Sequence, residues 1–275
     1  MNYKGFEVVQ FVDDKESIEF YQNMAENFFG LLENEYAIIK DPRGKTIDTV
    51  KWNGSINAPL AYKRFTNEYS GKVSPRNPEQ ELAFDMLQDK RTLVKVLTGR
   101  WGSGKTMLMV THALHMVLEG KVQKIVWIRN NFVTRDSNDI GYLPGDFIDK
   151  MLVWAAPLMD HLGNEDGLRN ALEEGQVEIQ HLGFIRGRDI KNAIVLCSEA
   201  ENLTSSHAAL LLSRIGENSQ LWLDGDIAQT DHKKFDADSG LRAVIKELAG
   251  DPLFGYVELQ KTERSPVAAL ASRLL

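Results

Sequence analysis

The chain has 275 residues, 43% hydrophobic and 26% charged, with a net charge of −7 and one cysteine, Cys197. That length suffices for one large domain with a small accessory, but the acidic balance excludes a coat held on nucleic acid by bulk charge. One cysteine excludes an internal disulfide and a Cys-cluster metal site, and no apolar run reaches the ~18 residues that a membrane-spanning helix needs.

In chain order, the N-terminus from Met1 through Asp13-Asp14-Lys15-Glu16 is no signal peptide, so a reducing cytoplasm is expected. Over residues 17–32, Ile18, Tyr21, Met24, Ala25, Phe28, Leu31 and Leu32 recur at helical spacing and predict an amphipathic helix. Tyr36–Lys40 and Thr46–Trp52 flank the turn Asp41-Pro42-Arg43-Gly44-Lys45 and predict a β-hairpin. A polar stretch from Asn53 to Ser74 then links to the rest, so residues 1–73 are read as a small accessory region. The second unit, residues 74–275, begins with a helix signal at Asn77-Pro78, a cap followed by proline in the first turn. Leu93–Thr98, Lys124–Ile128, Glu178–His181, Ala193–Cys197, Leu221–Leu223 and Tyr256–Leu259 read as strands with helical stretches between most of them. This alternation predicts an α/β fold: a parallel sheet with helices on both faces.

Gly99-Arg100-Trp101-Gly102-Ser103-Gly104-Lys105-Thr106 fits the phosphate-binding pattern G-x-x-x-x-G-K-[ST] without a mismatch. Glycines let backbone N–H groups turn in around phosphates, where side chains would obstruct them. Lys105 supplies an ammonium for the β- and γ-phosphates, and the Thr106 hydroxyl is a ligand for Mg²⁺. The motif follows the apolar strand Leu93–Leu97 and opens a helix, Met107 to Leu118, whose positive end faces the anion. Hydrolysis also needs a carboxylate at a neighbouring strand end. The strand Ala193–Cys197 runs into Ser198-Glu199-Ala200-Glu201, which makes Glu199 the candidate for polarising water. An ordinary acidic helix start is the plainer alternative for both glutamates. The strand Leu221–Leu223 runs into Asp224-Gly225-Asp226, and Asp226 or Gln229 would serve to sense the γ-phosphate.

These segments, together with Gly141-Tyr-Leu-Pro-Gly-Asp146, Ile185-Arg-Gly-Arg188, Ser213-Arg-Ile-Gly216 and Ser239-Gly-Leu241, resemble the PhoH-like ATPase family, a relative of superfamily 1 helicase cores. The resemblance covers residues 74–266, and residues 36–52 resemble a small β-element that precedes the domain in some members. It implies that Gln80 reads adenine, although Gln80 also suits a capping box on Asn77. It implies that Arg264 touches the γ-phosphate. The metal-associated aspartate of the family is Ser198 here, which brings no charge to a cation, and Trp101 stands where the family has a small residue.

The function so implied is ATP hydrolysis with Mg²⁺, coupled to remodelling or unwinding of RNA or other single-stranded nucleic acid. Arg129, Arg135, Arg186, Arg188, Lys191, Lys233 and Lys234 are the local cations available for a strand. The alternative is a nucleotide-switched module with little turnover that acts on protein partners. One core of this size leaves the second wall of the nucleotide site to another copy. A homo-oligomer is therefore expected, and the resemblance implies a RecA-like P-loop NTPase fold assembled as a ring, with a hexamer as one form and Arg264, Arg214 or Arg188 as the arginine reaching across.

Overall fold

The structure is a computed structural model that describes residues 3–129, 152, 155–229, 235 and 237–263. The N-terminal region forms a four-stranded sheet from β1 (Phe6–Gln10), β2 (Tyr36–Lys40), β3 (Thr46–Trp52) and β4 (Asn57–Pro59), in that order, with β1 parallel to β2. The hairpin of β2 and β3 is the one the turn residues predict. The expected helix over 17–32 is shorter and earlier: α1 spans Asp14–Gln22. Asp13 starts it by accepting the Lys15 and Glu16 N–H groups. Beyond Gln22, the Asn27 side chain binds both backbone groups of Leu31, a local alternative to helical bonding. Phe29 and Leu31 still pack on Phe20, so a folded-back loop imitates helical spacing. A two-stranded ribbon follows, β5 (Phe65–Asn67) with β6 (Gly71–Val73).

Beyond Val73 the chain alternates helix and strand: α2 (Pro78–Gln88), β7 (Val94–Gly99), α3 (Lys105–Leu118), β8 (Lys124–Arg129), α4 (Ala156–Met159), α5 (Glu165–Glu173), β9 (Val177–His181), β10 (Ala193–Ser198), α6 (Ser205–Leu212), β11 (Gln220–Gly225), α7 (Gly240–Leu248) and β12 (Phe254–Leu259). All six strands read from the sequence are present, and they form one parallel sheet in the order β12-β7-β11-β10-β8-β9. Successive residues face opposite sides. Leu97, Ile125, Trp127, Ile194, Leu196 and Trp222 pack with α2 and α3. Val96, Val126, Val195, Cys197, Leu221 and Leu223 pack with α6 and α7. A sheet covered on both faces needs such unbroken apolar strands, and that is the expected α/β architecture.

The N-terminal sheet docks on this core. Phe6, Tyr36 and Ile38 join the core on the α2 side. Asn34 donates its side-chain amide to the carbonyls of Asp251, Pro252 and Phe254. Gly5, at φ 78°, passes so close to β12 that a Cβ would overlap the Tyr256 carbonyl. Among the described residues no helix is long and apolar enough to cross a membrane.

Because all six strands are parallel, β7, β8, β10 and β11 deliver their C-terminal residues to one edge of the sheet. Ligands of open α/β sheets bind at that edge.

Candidate nucleotide-binding site

Gly99 closes β7 and Lys105 opens α3, with Gly102 and Gly104 between them at φ 77° and 92°. Gly99 itself lies at φ 148°, and a Cβ there would strike the Leu259 carbonyl at the end of β12. The loop therefore requires glycine for two reasons: the backbone conformation and the strand beside it. Gly104 caps α3 without a side chain, leaving the first helical N–H groups open to an anion. Lys105 Nζ donates to the carbonyls of Gly99 at 2.6 Å and Arg100 at 3.2 Å. Ser103 is buried, and its hydroxyl has no hydrogen-bond partner.

The loop borders an open cleft of about 550 Å³, the scale of a small-ligand site. Gln80, Trp101, Gly102, Gly104, Lys105, Thr106, Ser198 and Glu199, all read from the sequence, line it. Arg76, Asp224 and Glu263 line it too, and sequence reasoning missed them. The remaining loop residues, Gly99, Arg100 and Ser103, shape the cradle through their backbone, while Asp226, Gln229 and Arg214 lie off the cleft wall.

Gln80 is 1% exposed. Asn77 caps its N–H at 3.0 Å, but the Gln80 side chain does not return to Asn77 as a capping box requires. Its oxygen instead accepts the Arg76 N–H at 3.0 Å, and its nitrogen donates to the Ser103 carbonyl at 3.1 Å. One residue thus ties the start of α2 to the phosphate loop, with a second amide hydrogen still to give.

Thr106 and the end of β11 meet directly: the Thr106 hydroxyl donates to the Asp224 carboxylate. Asp224 is 2% exposed, and its Oδ1 accepts no hydrogen bond. Burial pushes its pKa up, while the Thr106 hydroxyl, the Lys105 ammonium and the Ser198 hydroxyl pull it back. Sequence reasoning ended this strand at Leu223 because its apolar run stops there. The available signal was Asp224-Gly225-Asp226, two carboxylates at one strand end. Choosing between them needs the strand order, which sets β11 beside β7.

Ser198 closes β10, buried, and Glu199 turns out of the strand at φ 56° and ψ 44°. A non-glycine residue held in this left-handed region is uncommon and clusters at functional sites. Arg129, at the end of neighbouring β8, grips both Glu199 oxygens, with one of the bonds at 3.0 Å. Glu201 points the other way. It accepts the Asp226 N–H at 3.1 Å and ties β10 to β11. Burial, reinforced by nearby Asp224, pushes its pKa up to about 8. Asp226 is buried as well, with one oxygen on the Ala228 N–H and the other without a partner. Gln229 is exposed.

Residues 72–274 match the family described as PhoH-like protein. The chain belongs to the PhoH-like family. This PhoH-like chain is 36% identical to Protein PhoH2 of Thermobispora bispora over 203 residues, 73% of this chain and 47% of that one. It is 32% identical to Protein PhoH2 of Bacillus subtilis over 253 residues, 88% and 56% of the two chains. It is 33% identical to Protein PhoH of Escherichia coli K12 over 208 residues, 74% and 57%. It therefore spans about half the length of the curated relatives it matches. Among solved structures it is similar to a Sulfolobus solfataricus SWI2/SNF2 ATPase core in complex with dsDNA, at 14% identity and a TM-score of 0.40, over 68% of this chain and 39% of that one. So slight a likeness adds nothing to the fold seen directly.

The PhoH-like arginines fall in three places. Arg264 lies outside the described residues. Its sequence neighbour Glu263 donates its N–H to the Gly102 carbonyl and accepts from the Asn77 side chain. Arg214 accepts the Ile190 N–H through its carbonyl, ahead of β10, so it sits at the opposite end of the sheet from the cradle. Of the cations considered for nucleic acid, Arg129 holds Glu199, Arg188 holds Glu178 at 2.5 Å and Lys191 holds Asp189 at 3.1 Å. Arg186 is exposed, two residues from Phe184, which is 68% exposed. Arg135, Lys233 and Lys234 lie outside the described residues.

Proposed function

We propose that this chain binds ATP with Mg²⁺ in the cleft, hydrolyses it, and couples turnover to remodelling or unwinding of RNA or other single-stranded nucleic acid. What supports hydrolysis most is Glu199, a strand-end carboxylate in a left-handed turn on the cleft that also holds Lys105 and Thr106. The residues present fit the nucleotide and its metal. The glycine loop and α3 N-terminus offer N–H groups to phosphates, Lys105 offers a cation, and Thr106 with Ser198 faces the metal position. When bound, Mg²⁺ would neutralise charge on the β- and γ-phosphates. Glu199, once released from Arg129, orients and deprotonates the attacking water, Gln80 reads adenine through its remaining amide hydrogen, and Asp226 and Gln229 report the γ-phosphate through the β11 end.

Glu199→Gln tests hydrolysis. The variant is expected to keep ATP while turnover falls by about a hundredfold or more, the size of a general-base loss. Normal turnover would put the base elsewhere, and Glu201 is a poor substitute because it holds its proton near neutral pH.

Exposed Arg186 and Phe184 support the nucleic-acid part, since a cation beside an aromatic face suits a splayed base and its phosphate. ATP turnover measured with and without single-stranded RNA tests the coupling. No stimulation would favour the nucleotide-switched module, which Ser198 and the Arg129 grip on Glu199 also suit. We propose further that the protein is a homo-oligomer, a ring, in which Arg264 or Arg214 completes a neighbour's site. Glu263 lies on the phosphate loop of its own chain, so mixing Lys105→Ala with Arg264→Ala subunits decides the matter: recovered activity means a trans arginine, none after confirmed exchange means cis.

A further inference from the structure

We infer that the carboxylate attracting the nucleotide's Mg²⁺ in this chain is Asp224 on β11, not a residue of β10. The inference rests on the nucleotide-binding reading of the cleft. A P-loop cation needs a nearby negative group, and the β10 end offers Ser198, which has none. Glu199, the next residue, has both oxygens on Arg129. The strand order puts β11 between β7 and β10, so the last residues of β11 lie closer to the phosphate loop than those of β10. Asp224 there accepts the hydroxyl proton of Thr106, the loop residue that faces the metal position.

The other Asp224 oxygen is buried without any hydrogen-bond partner, on the wall shared with Lys105, Thr106, Ser198 and Glu199. Buried carboxylate oxygens are rarely left so. Protein groups alone do not complete this one, and a hydrated cation beside Thr106 would. Asp226 does not substitute for it. It too keeps a buried oxygen without a partner, but it is not on the cleft wall, and its N–H is taken by Glu201 and its other oxygen by the Ala228 N–H. Asp224 is thus a positioning residue for the metal waters, and Ser198 supports it as a neutral neighbour.

The test uses Asp224→Asn, Ser198→Asp and the double variant Asp224→Asn/Ser198→Asp in the full chain. The probe is Mn²⁺, followed by its paramagnetic resonance in the presence of a non-hydrolysable ATP analogue. Asp224→Asn should weaken Mn²⁺ by about 10–100-fold, the usual loss for an outer-shell group, while affinity for the metal-free analogue stays level or rises. The double variant should recover most of that loss, because the charge returns to the cleft from the adjacent strand. Thermal unfolding without ligand separates this from a structural role. Asparagine keeps the shape and removes a buried charge, so the variant should melt no lower than wild type. Unchanged Mn²⁺ affinity in Asp224→Asn would overturn the inference. So would a lowered melting point together with no rescue in the double variant. If Lys105→Ala leaves analogue affinity intact, the nucleotide reading itself fails. If Lys105→Ala loses the analogue while Asp224→Asn keeps Mn²⁺, only this inference fails.

Discussion

Two buried polar clusters lie towards the two ends of β7, one near Lys95 and one at the phosphate loop that follows Gly99, and they differ in one respect. Under the N-terminal sheet, Lys51 pairs with Asp89 at 2.5 Å and lies 3.6 Å from Asp85. Asp85 also takes the Tyr36 hydroxyl and the Ala61 N–H, and buried Lys95 donates to the Leu87 and Asp89 carbonyls at the end of α2. Every charged group there has its partner. At the cradle, Ser103, Asp224 and Asp226 each keep a buried polar atom with none. A satisfied cluster fixes architecture, since it gains nothing from a ligand; an unsatisfied one holds groups in reserve for something that arrives. Burial of charge alone does not mark a functional site. Asn57, Asn67, Ser70 and Gln176 also keep a buried polar atom without a partner, so what sets the cradle apart is incomplete bonding of buried carboxylates at the strand end beside a glycine loop.

The largest effect expected from breaking this contrast is on the satisfied side. Asp85→Ala strips partners from Tyr36, Lys51 and the Ala61 N–H together, and should cost about 3–5 kcal/mol in denaturant unfolding. Nucleotide affinity of the folded fraction should not change. A loss below about 1 kcal/mol, the size of an exposed pair, would show that the cluster is no keystone of the fold.

On the unsatisfied side, Arg129→Ala frees both oxygens of Glu199. Turnover in the absence of nucleic acid should rise severalfold, read in a steady-state phosphate-release assay. A fall instead would mean that Arg129 aims Glu199 and does not restrain it.

The third effect, seen only as a change with pH, concerns Glu201. Folded, it holds its proton to about pH 8; unfolded, it releases it near 4.5. The folded state therefore binds the extra proton between those values, and stability falls as pH rises through them. Glu201→Gln keeps an oxygen for the Asp226 N–H and has no charge to bury. Its melting point should draw level with wild type near pH 5 and exceed it by pH 8, by about 2–4 °C for each kcal/mol removed. A constant difference across that range would assign Glu201 another environment.

The legibility of these features in the sequence follows the same division. The six parallel strands were readable because each is an unbroken apolar run bounded by polar residues. The phosphate loop was readable because its glycines, Lys105 and Thr106 are contiguous. Glu199 was readable from its strand end. What escaped depends on juxtaposition: Asp224 acquires meaning only when β11 is known to lie beside β7, and Arg129 only when β8 is known to flank β10. Lys51 and Lys95 read as strand residues of no note until α2 ends against them. The helix expected over 17–32 failed because Asn27 bonded to Leu31 locally, which spacing of apolar residues does not register.

The most direct test of the contrast is calorimetric titration of wild type and Lys105→Ala with a non-hydrolysable ATP analogue and Mg²⁺, paired with melting curves at saturation. The wild type should bind and gain about 2.7 kcal/mol of stability at a hundredfold excess over Kd. Lys105→Ala, folded equally well without ligand, should lose tight binding and gain little at the same concentration. Equal affinity and equal stabilisation in the two proteins would contradict the account, because the open groups at the cradle would then not be waiting for a nucleotide's phosphates.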